Sequence, residues 1–188
     1  MMRPIQKKAR LSPEKRRVQL LDCAMTAFAE AGIERAVHAD VAALAGVSVP
    51  TVFKYFPTRD KLVDAVLDEV ETRILQLIEA VPTATGGERT DQIHQLADVV
   101  EQLCQHTPDL MKVALSWTVA FSSVRPRYLA FHDKSLTLLQ KRISGPKDDR
   151  TDARILTGAA FLFMQMYFDG SAPDIRERFV TRLSELMR

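Results

Sequence analysis

Cysteine occurs only twice in this 188-residue chain, at Cys23 and Cys104. The two fall in different predicted helices, so the chain has no disulfide framework and no CxxC metal site. A reducing cytoplasm is the expected compartment. Glycine is also scarce, at seven residues, and none falls in a phosphate-cradling loop or a nucleophile elbow. The four histidines, His38, His94, His106 and His132, are scattered without the spacing of a metal site. No run of 18 apolar residues exists, which argues against a membrane span. The basic N-terminus lacks the apolar stretch of a signal peptide. The expectation is a protein that is not an enzyme, with no catalytic residues, metal or cofactor and no membrane partner.

What is present is a helical pattern. Apolar residues make up 46% of the chain, too many for a disordered one. They recur with a 3.6-residue period, so the predicted class is all-α, with about nine helices. Net charge is only +2, but it is unevenly placed. Residues 1–61 hold 11 Lys and Arg against 6 Asp and Glu, and residues 62–188 hold 15 against 18. A basic head on a mildly acidic body is the footprint of a nucleic-acid-binding domain that carries something else.

The head reads as three helices. The first is capped by Ser12, has Pro13 at its first position and ends at Gly32. Val18, Leu21, Ala24, Met25 and Phe28 form its predicted buried stripe. A second helix covers 39–45, where Gly46 ends it. Val47 plugs the turn, Ser48 N-caps a third helix reaching Phe56, and Pro57 stops that helix. At 100° per residue, Val49, Val52, Phe53 and Phe56 share one face of this helix, expected to pack inward. Ser48, Thr51, Lys54 and Tyr55 share the other. Helix, glycine turn and a helix with a polar outer face make a helix-turn-helix, whose second helix enters the major groove. A plain helical hairpin with a solvated face is the alternative. Predicted DNA contacts are Lys7, Lys8, Arg10, Arg16, His38, Ser48, Val49, Thr51, Lys54, Tyr55, Arg59 and Lys61. Residues 1–10 read either as an arm reaching the minor groove or as a solubilising tail.

Helix 58–80, capped by Thr58, keeps Leu62, Val66, Val70, Ile74, Leu77 and Ile78 on one side and leads into the body. Residues 82–88 read as a loop. Five further helices are predicted at 90–106, 108–123, 126–144, 151–168 and 174–187, with a charged loop at 145–150. The domains are expected at 1–57, for DNA binding, and 58–188, for dimerisation and ligand binding.

The motif Gly46-Val47-Ser48, Thr51-Val52-Phe53-x-Tyr55-Phe56-Pro57, Lys61-Leu62 resembles the DNA-binding signature of the tetracycline-repressor (TetR) family. Arg10-Leu11-Ser12-Pro13-x-Lys15-Arg16, Phe28-Ala29-x-x-Gly32-Ile33 and His38-Ala39-Asp40 are similar to the LuxR/HapR/SmcR-type quorum-sensing master regulators within it. Ala36 and Val37 replace that group's glycines, and Lys54 stands where its Asn is expected. These departures bear on the operator sequence, not on the binding mode. The resemblance implies a homodimer on a pseudo-palindromic double-stranded DNA operator, in the cytoplasm with the nucleoid.

Helix 151–168 is apolar nearly all round, which requires cover on several sides and suggests a partner subunit. With the last helix it supplies the predicted dimer interface: Ile155, Ala159, Leu162, Phe179, Leu183 and Leu186. The resemblance implies a four-helix bundle made from these helices of two subunits. Trp117, with Met111, Leu115, Phe121, Tyr128, Phe131, His132, Phe163 and Met166, forms either plain core or a pocket for a small apolar ligand. The resemblance favours the pocket. Two other readings stand beside this one. The first is a ligand-released repressor of neighbouring metabolic or efflux genes. The second is a helical redox or metal sensor using Cys104 and His106.

Overall fold

The computed structural model describes residues 11–81, 89–120, 123–143 and 150–187. Among them the chain forms nine helices and no strand: α1 (Pro13–Ala31), α2 (His38–Ala45), α3 (Val49–Tyr55), α4 (Arg59–Ala80), α5 (Arg89–His106), α6 (Pro108–Thr118), α7 (Arg125–Ile143), α8 (Thr151–Phe168) and α9 (Pro173–Leu186). The all-α expectation holds. The predicted loop at 82–88 and most of the one at 145–150 lie outside the described residues, as do residues 1–10.

Local chemistry sets the boundaries. Ser12 Oγ accepts from the Lys15 amide at 3.3 Å, and Thr58 Oγ1 accepts from the Lys61 amide at 3.2 Å. Each meets a donor that the first helical turn cannot satisfy by itself. Gly46 is left-handed (φ 63°, ψ 39°), so the Val47 amide reaches the Ala42 carbonyl at 3.0 Å and α2 closes. Helix α6 stops at Thr118, five residues short of its predicted end. The Ser116 and Thr118 hydroxyls donate back to the Val113 and Leu115 carbonyls. The Arg125 guanidinium caps the freed Thr118 carbonyl at 2.7 Å.

Helices α1 to α3 pack with the start of α4 around Leu20, Phe28, Val41, Val52, Phe56 and Leu62, all buried. Val18, placed in the buried stripe of α1, is instead 59% exposed, because the buried face turns through Leu20, Ala24, Ala27 and Phe28. The body is built from the rest of α4 with α5 to α9, and Trp117 lies fully buried within it. Helix α1 also packs on α6, where the Thr26 hydroxyl donates to the Asp109 carboxylate at 2.7 Å. Head and body therefore meet along both α4 and the α1–α6 seam.

Candidate nucleic-acid interface and body cavity

The exposed surface of α3 and its flanks is short and mostly polar. Ser48, Pro50, Lys54, Pro57 and Thr58 are exposed, while Val49, Thr51 and Tyr55 are half-buried. Ser48 holds the N-cap position, but its hydroxyl pairs with the Thr51 hydroxyl at 2.9 Å instead of capping a backbone amide. Both hydroxyls stay at the helix start, where a base edge or phosphate can meet them. Lys54 stands in the last turn, exposed. Tyr55 packs on the edge of the core, less outward than its helical angle suggested.

Phe53 departs from the expected inward set. It is 45% exposed and stacks on the imidazole of His38 at 4.0 Å, with the rings 9° from parallel. His38 is itself buried, and its Nε2 lies 2.7 Å from the Phe56 carbonyl. A carbonyl can only accept, so Nε2 carries the hydrogen. With its ring buried and this bond made, His38, expected to contact DNA, is held within the fold. Its ring fastens the start of α2 to the end of α3. Arg59, also expected to contact DNA, has a partner within the fold. It is half-buried, and its Nη2 donates to the Ile33 carbonyl at 2.6 Å, which pins the α1–α2 loop to α4. Lys61 is exposed and sits 3.6 Å from Asp64. Arg16 donates to Gln19 at 2.7 Å, and Arg17 lies over the Phe56 ring at 5.1 Å. Lys7, Lys8 and Arg10 lie outside the described residues.

In the body, α4 to α8 surround a cavity of about 130 Å³. Of the residues predicted to line a pocket, Met111, Trp117, Tyr128, Phe131 and His132 do so. Phe163 instead lines a smaller crevice with Ile93, Phe179 and Leu183, on the other face of α8. Leu115 and Met166 are half-buried away from the cavity, each on a helix face turned from it, and Phe121 lies outside the described residues. The aromatic rings are in register. Trp117 stacks with Phe131 at 5.4 Å and meets Tyr128 edge-on at 5.7 Å, and Tyr128 stacks with His132 at 5.5 Å. Burial and the nearby Arg154 hold the His132 imidazole below its ordinary pKa. Ile74, Leu77 and Ile78 of α4 form one wall. The helix that carries the end of the recognition unit is thus also a side of the cavity.

Sequence reasoning missed Arg127. Its guanidinium reaches Asp64 at 3.3 Å, Asp68 at 2.5 Å and Glu71 at 2.6 Å, all on α4. It also lies 6.0 Å from the centre of the Trp117 ring. The signal was in the acids. Positions 64, 68 and 71 share one helical face, and such a stripe wants a cation opposite. Arg176 was missed as well. It is buried, pairs with Glu101 at 2.6 Å and ties α9 to α5.

Cys104 and His106 form no common site. Two residues apart on a helix, they point about 200° apart. Cys104 is buried, and burial together with Glu101 pushes its thiol up to about 11, far from a reactive thiolate. His106 is exposed and bonded to the Gln102 carbonyl at 2.7 Å. Among the described residues no three His, Cys, Asp or Glu side chains converge on a metal position.

Residues 20–66 match the family model described as "Bacterial regulatory proteins, tetR family". Those residues carry the DNA-binding domain of that family. The chain is similar to the HTH-type transcriptional regulator LuxR of Vibrio harveyi, at 57% identity over 63 residues. That match covers 34% of this chain and 31% of LuxR. The nucleoid occlusion factor SlmA of Pasteurella multocida is 27% identical over 137 residues, covering 69% of this chain and 66% of SlmA. The chain therefore spans about a third of LuxR and just under two thirds of SlmA. The structure of a TetR-like transcriptional regulator from Rhodococcus sp. RHA1 superposes with a TM-score of 0.70 at 18% identity, covering 93% of this chain and 96% of that one. It shares the TetR fold from head to body. The TetR family is one of DNA-binding regulators, not enzymes.

Proposed function

We propose that this chain is a homodimeric transcriptional regulator that binds a pseudo-palindromic operator through α3 of each subunit. The observation that carries the reading is the outer surface of 48–58. It is compact, presents Ser48, Thr51 and Lys54, and stands on a helix-turn-helix fastened from behind by His38. The 57% identity to LuxR over 63 residues, together with the family-model match at 20–66, supports a LuxR-like binding mode. A role as a quorum-sensing master regulator is part of the same proposal. Location in the cytoplasm with the nucleoid follows from it, and among the described residues no helix is long and apolar enough to cross a membrane.

Dimerisation is proposed through α8 and α9. Ile155 and Leu162 are 44% and 46% exposed on α8, and Leu186 is 70% exposed on α9. Ala159, Phe179 and Leu183 lie half-buried beside them. An apolar strip of this kind, on a helix already packed on its other side, supports a second subunit as its cover. Two recognition helices then meet successive major grooves about 34 Å apart.

The body cavity favours a second reading, a repressor of neighbouring genes released by an apolar ligand. Because α4 is both cavity wall and continuation of the head, a ligand that prefers one arrangement of α4 shifts the spacing of the two heads.

The deciding experiment recovers DNA from a random pool with wild type and with Lys54→Ala. A symmetric motif is expected, with preference relaxed at one position per half-site and affinity reduced by about 1–3 kcal/mol in the variant. Recovery of no motif by wild type would overturn the reading. An unchanged motif in Lys54→Ala would remove Lys54 from the interface.

A further inference from the structure

The cavity beneath α4 has a distinctive chemistry. None of its lining side chains is an Asp, Glu, Lys or Arg. Its polar atoms belong to Trp117, Tyr128, His132, Ser135 and Thr157. Ser135 already donates to the Phe131 carbonyl at 2.9 Å. The Trp117 indole N–H is different. It is wholly buried and has no acceptor in the protein. A buried donor without a partner is costly, and native proteins rarely leave one so.

From this we infer that the cavity takes a compact, uncharged, mainly apolar molecule with one hydrogen-bond acceptor, such as a ketone or ester carbonyl, which receives the Trp117 N–H. The inference rests on the reading of this cavity as a ligand site and names the class of ligand. Size sets the first limit. At about 130 Å³ the space is close to that of an aliphatic and aromatic cavity of roughly 150 Å³ that accepts benzene. One ring with a short substituent fits. Charge sets the second limit. A carboxylate or ammonium would enter without a counter-ion, which burial penalises heavily. Two cations stand against the aromatic wall: Arg127, 6.0 Å from the Trp117 ring centre, has its N–H groups given to Asp64, Asp68 and Glu71, and Arg125, 5.0 Å from the Tyr128 ring centre, donates to the Thr118 carbonyl. His132 is kept neutral near pH 7 by its burial, so it offers no positive charge either. The aromatic faces of Trp117 and Phe131, stacked at 5.4 Å, supply the apolar contact.

Three probes of one shape separate the terms: acetophenone, its isostere α-methylstyrene with CH2 in place of the carbonyl oxygen, and benzoate. Calorimetric titration of the full chain should find the two neutral probes bound and benzoate unbound. In Trp117→Phe the affinity of acetophenone relative to α-methylstyrene should fall about 3- to 10-fold, the worth of one hydrogen bond. Trp117 is the only tryptophan, so wild type gives one indole N–H resonance. Acetophenone should move it downfield, and α-methylstyrene should not. That spectrum keeps the test intact if the Phe variant folds poorly. Both neutral probes binding, with the same ratio in wild type and variant and no distinct indole shift, would overturn the acceptor. The N–H would then be satisfied by the face of Tyr128, and the cavity would still be a ligand site. Benzoate binding as tightly as acetophenone would overturn the uncharged class. Binding of none of the three would overturn the ligand site itself along with the class.

Discussion

Arg127 lies over the ring of Trp117, its guanidinium carbon 6.0 Å from the ring centre, while the same guanidinium holds three carboxylates of α4. The cavity's most buried aromatic and the helix leading from the DNA-binding head thus share one side chain. Replacing it by Gln leaves Asp64, Asp68 and Glu71 side by side without a cation. We predict a loss of about 1–2 kcal/mol, modest because Asp68 is well exposed, and partly recovered as salt screens the acids. Urea melts of Arg127→Gln at low and high salt check this. A loss that salt leaves unchanged would assign Arg127 a packing role only.

His38 should act on DNA binding through the fold. His38→Phe keeps a ring to stack on Phe53 but removes the donor to the Phe56 carbonyl. Stability should fall by about 1–2 kcal/mol, and operator affinity should fall with it. Thermal melts and gel-shift titrations of the same preparation test the link. Weakened DNA binding with unaltered stability would mean that the imidazole touches DNA after all.

The depressed pKa of His132 has a pH consequence. The unfolded chain titrates near the ordinary value of 6.5, and the folded one below it. Between those values the unfolded state binds more protons, so stability rises with pH there. The contribution is complete above 6.5 and is lost as pH falls below it. The melting temperature should therefore drop more between pH 7.5 and 5.5 in wild type than in His132→Gln. Equal drops would place the acid sensitivity elsewhere.

The strip on α8 should be an interface. Leu162→Glu puts a charge at a position that is already 46% exposed in the isolated chain, so the fold should tolerate it. Light scattering should report a monomer with native helical content, and affinity for a two-half-site operator should collapse. A variant that remains dimeric would move the interface off this face.

Much of the head was legible in the sequence. Ser12, Gly46 and Thr58 mark their helix boundaries because a cap or a left-handed turn depends on one residue and its immediate neighbours. The period of Leu62, Val66 and Val70 fixed the inner side of α4 for the same local reason. The resemblance to the TetR family was carried by such short-range text. What sequence could not decide is how groups far apart along the chain meet. Val18 and Phe53 are apolar at near-helical spacing, yet each lies at the rim of its stripe, and neighbouring helices decide where cover stops. His38 looked like a candidate for phosphate contact until the Phe56 carbonyl, 18 residues on, took its nitrogen. Nothing local singles out Arg127 or Arg176, and only packing of α7 on α4 and α9 on α5 gave them carboxylates. The cavity is tertiary in the same sense. The aromatic residues around Trp117 were visible in order along the chain. Five helices meeting around them left a space, and a buried indole N–H without an acceptor.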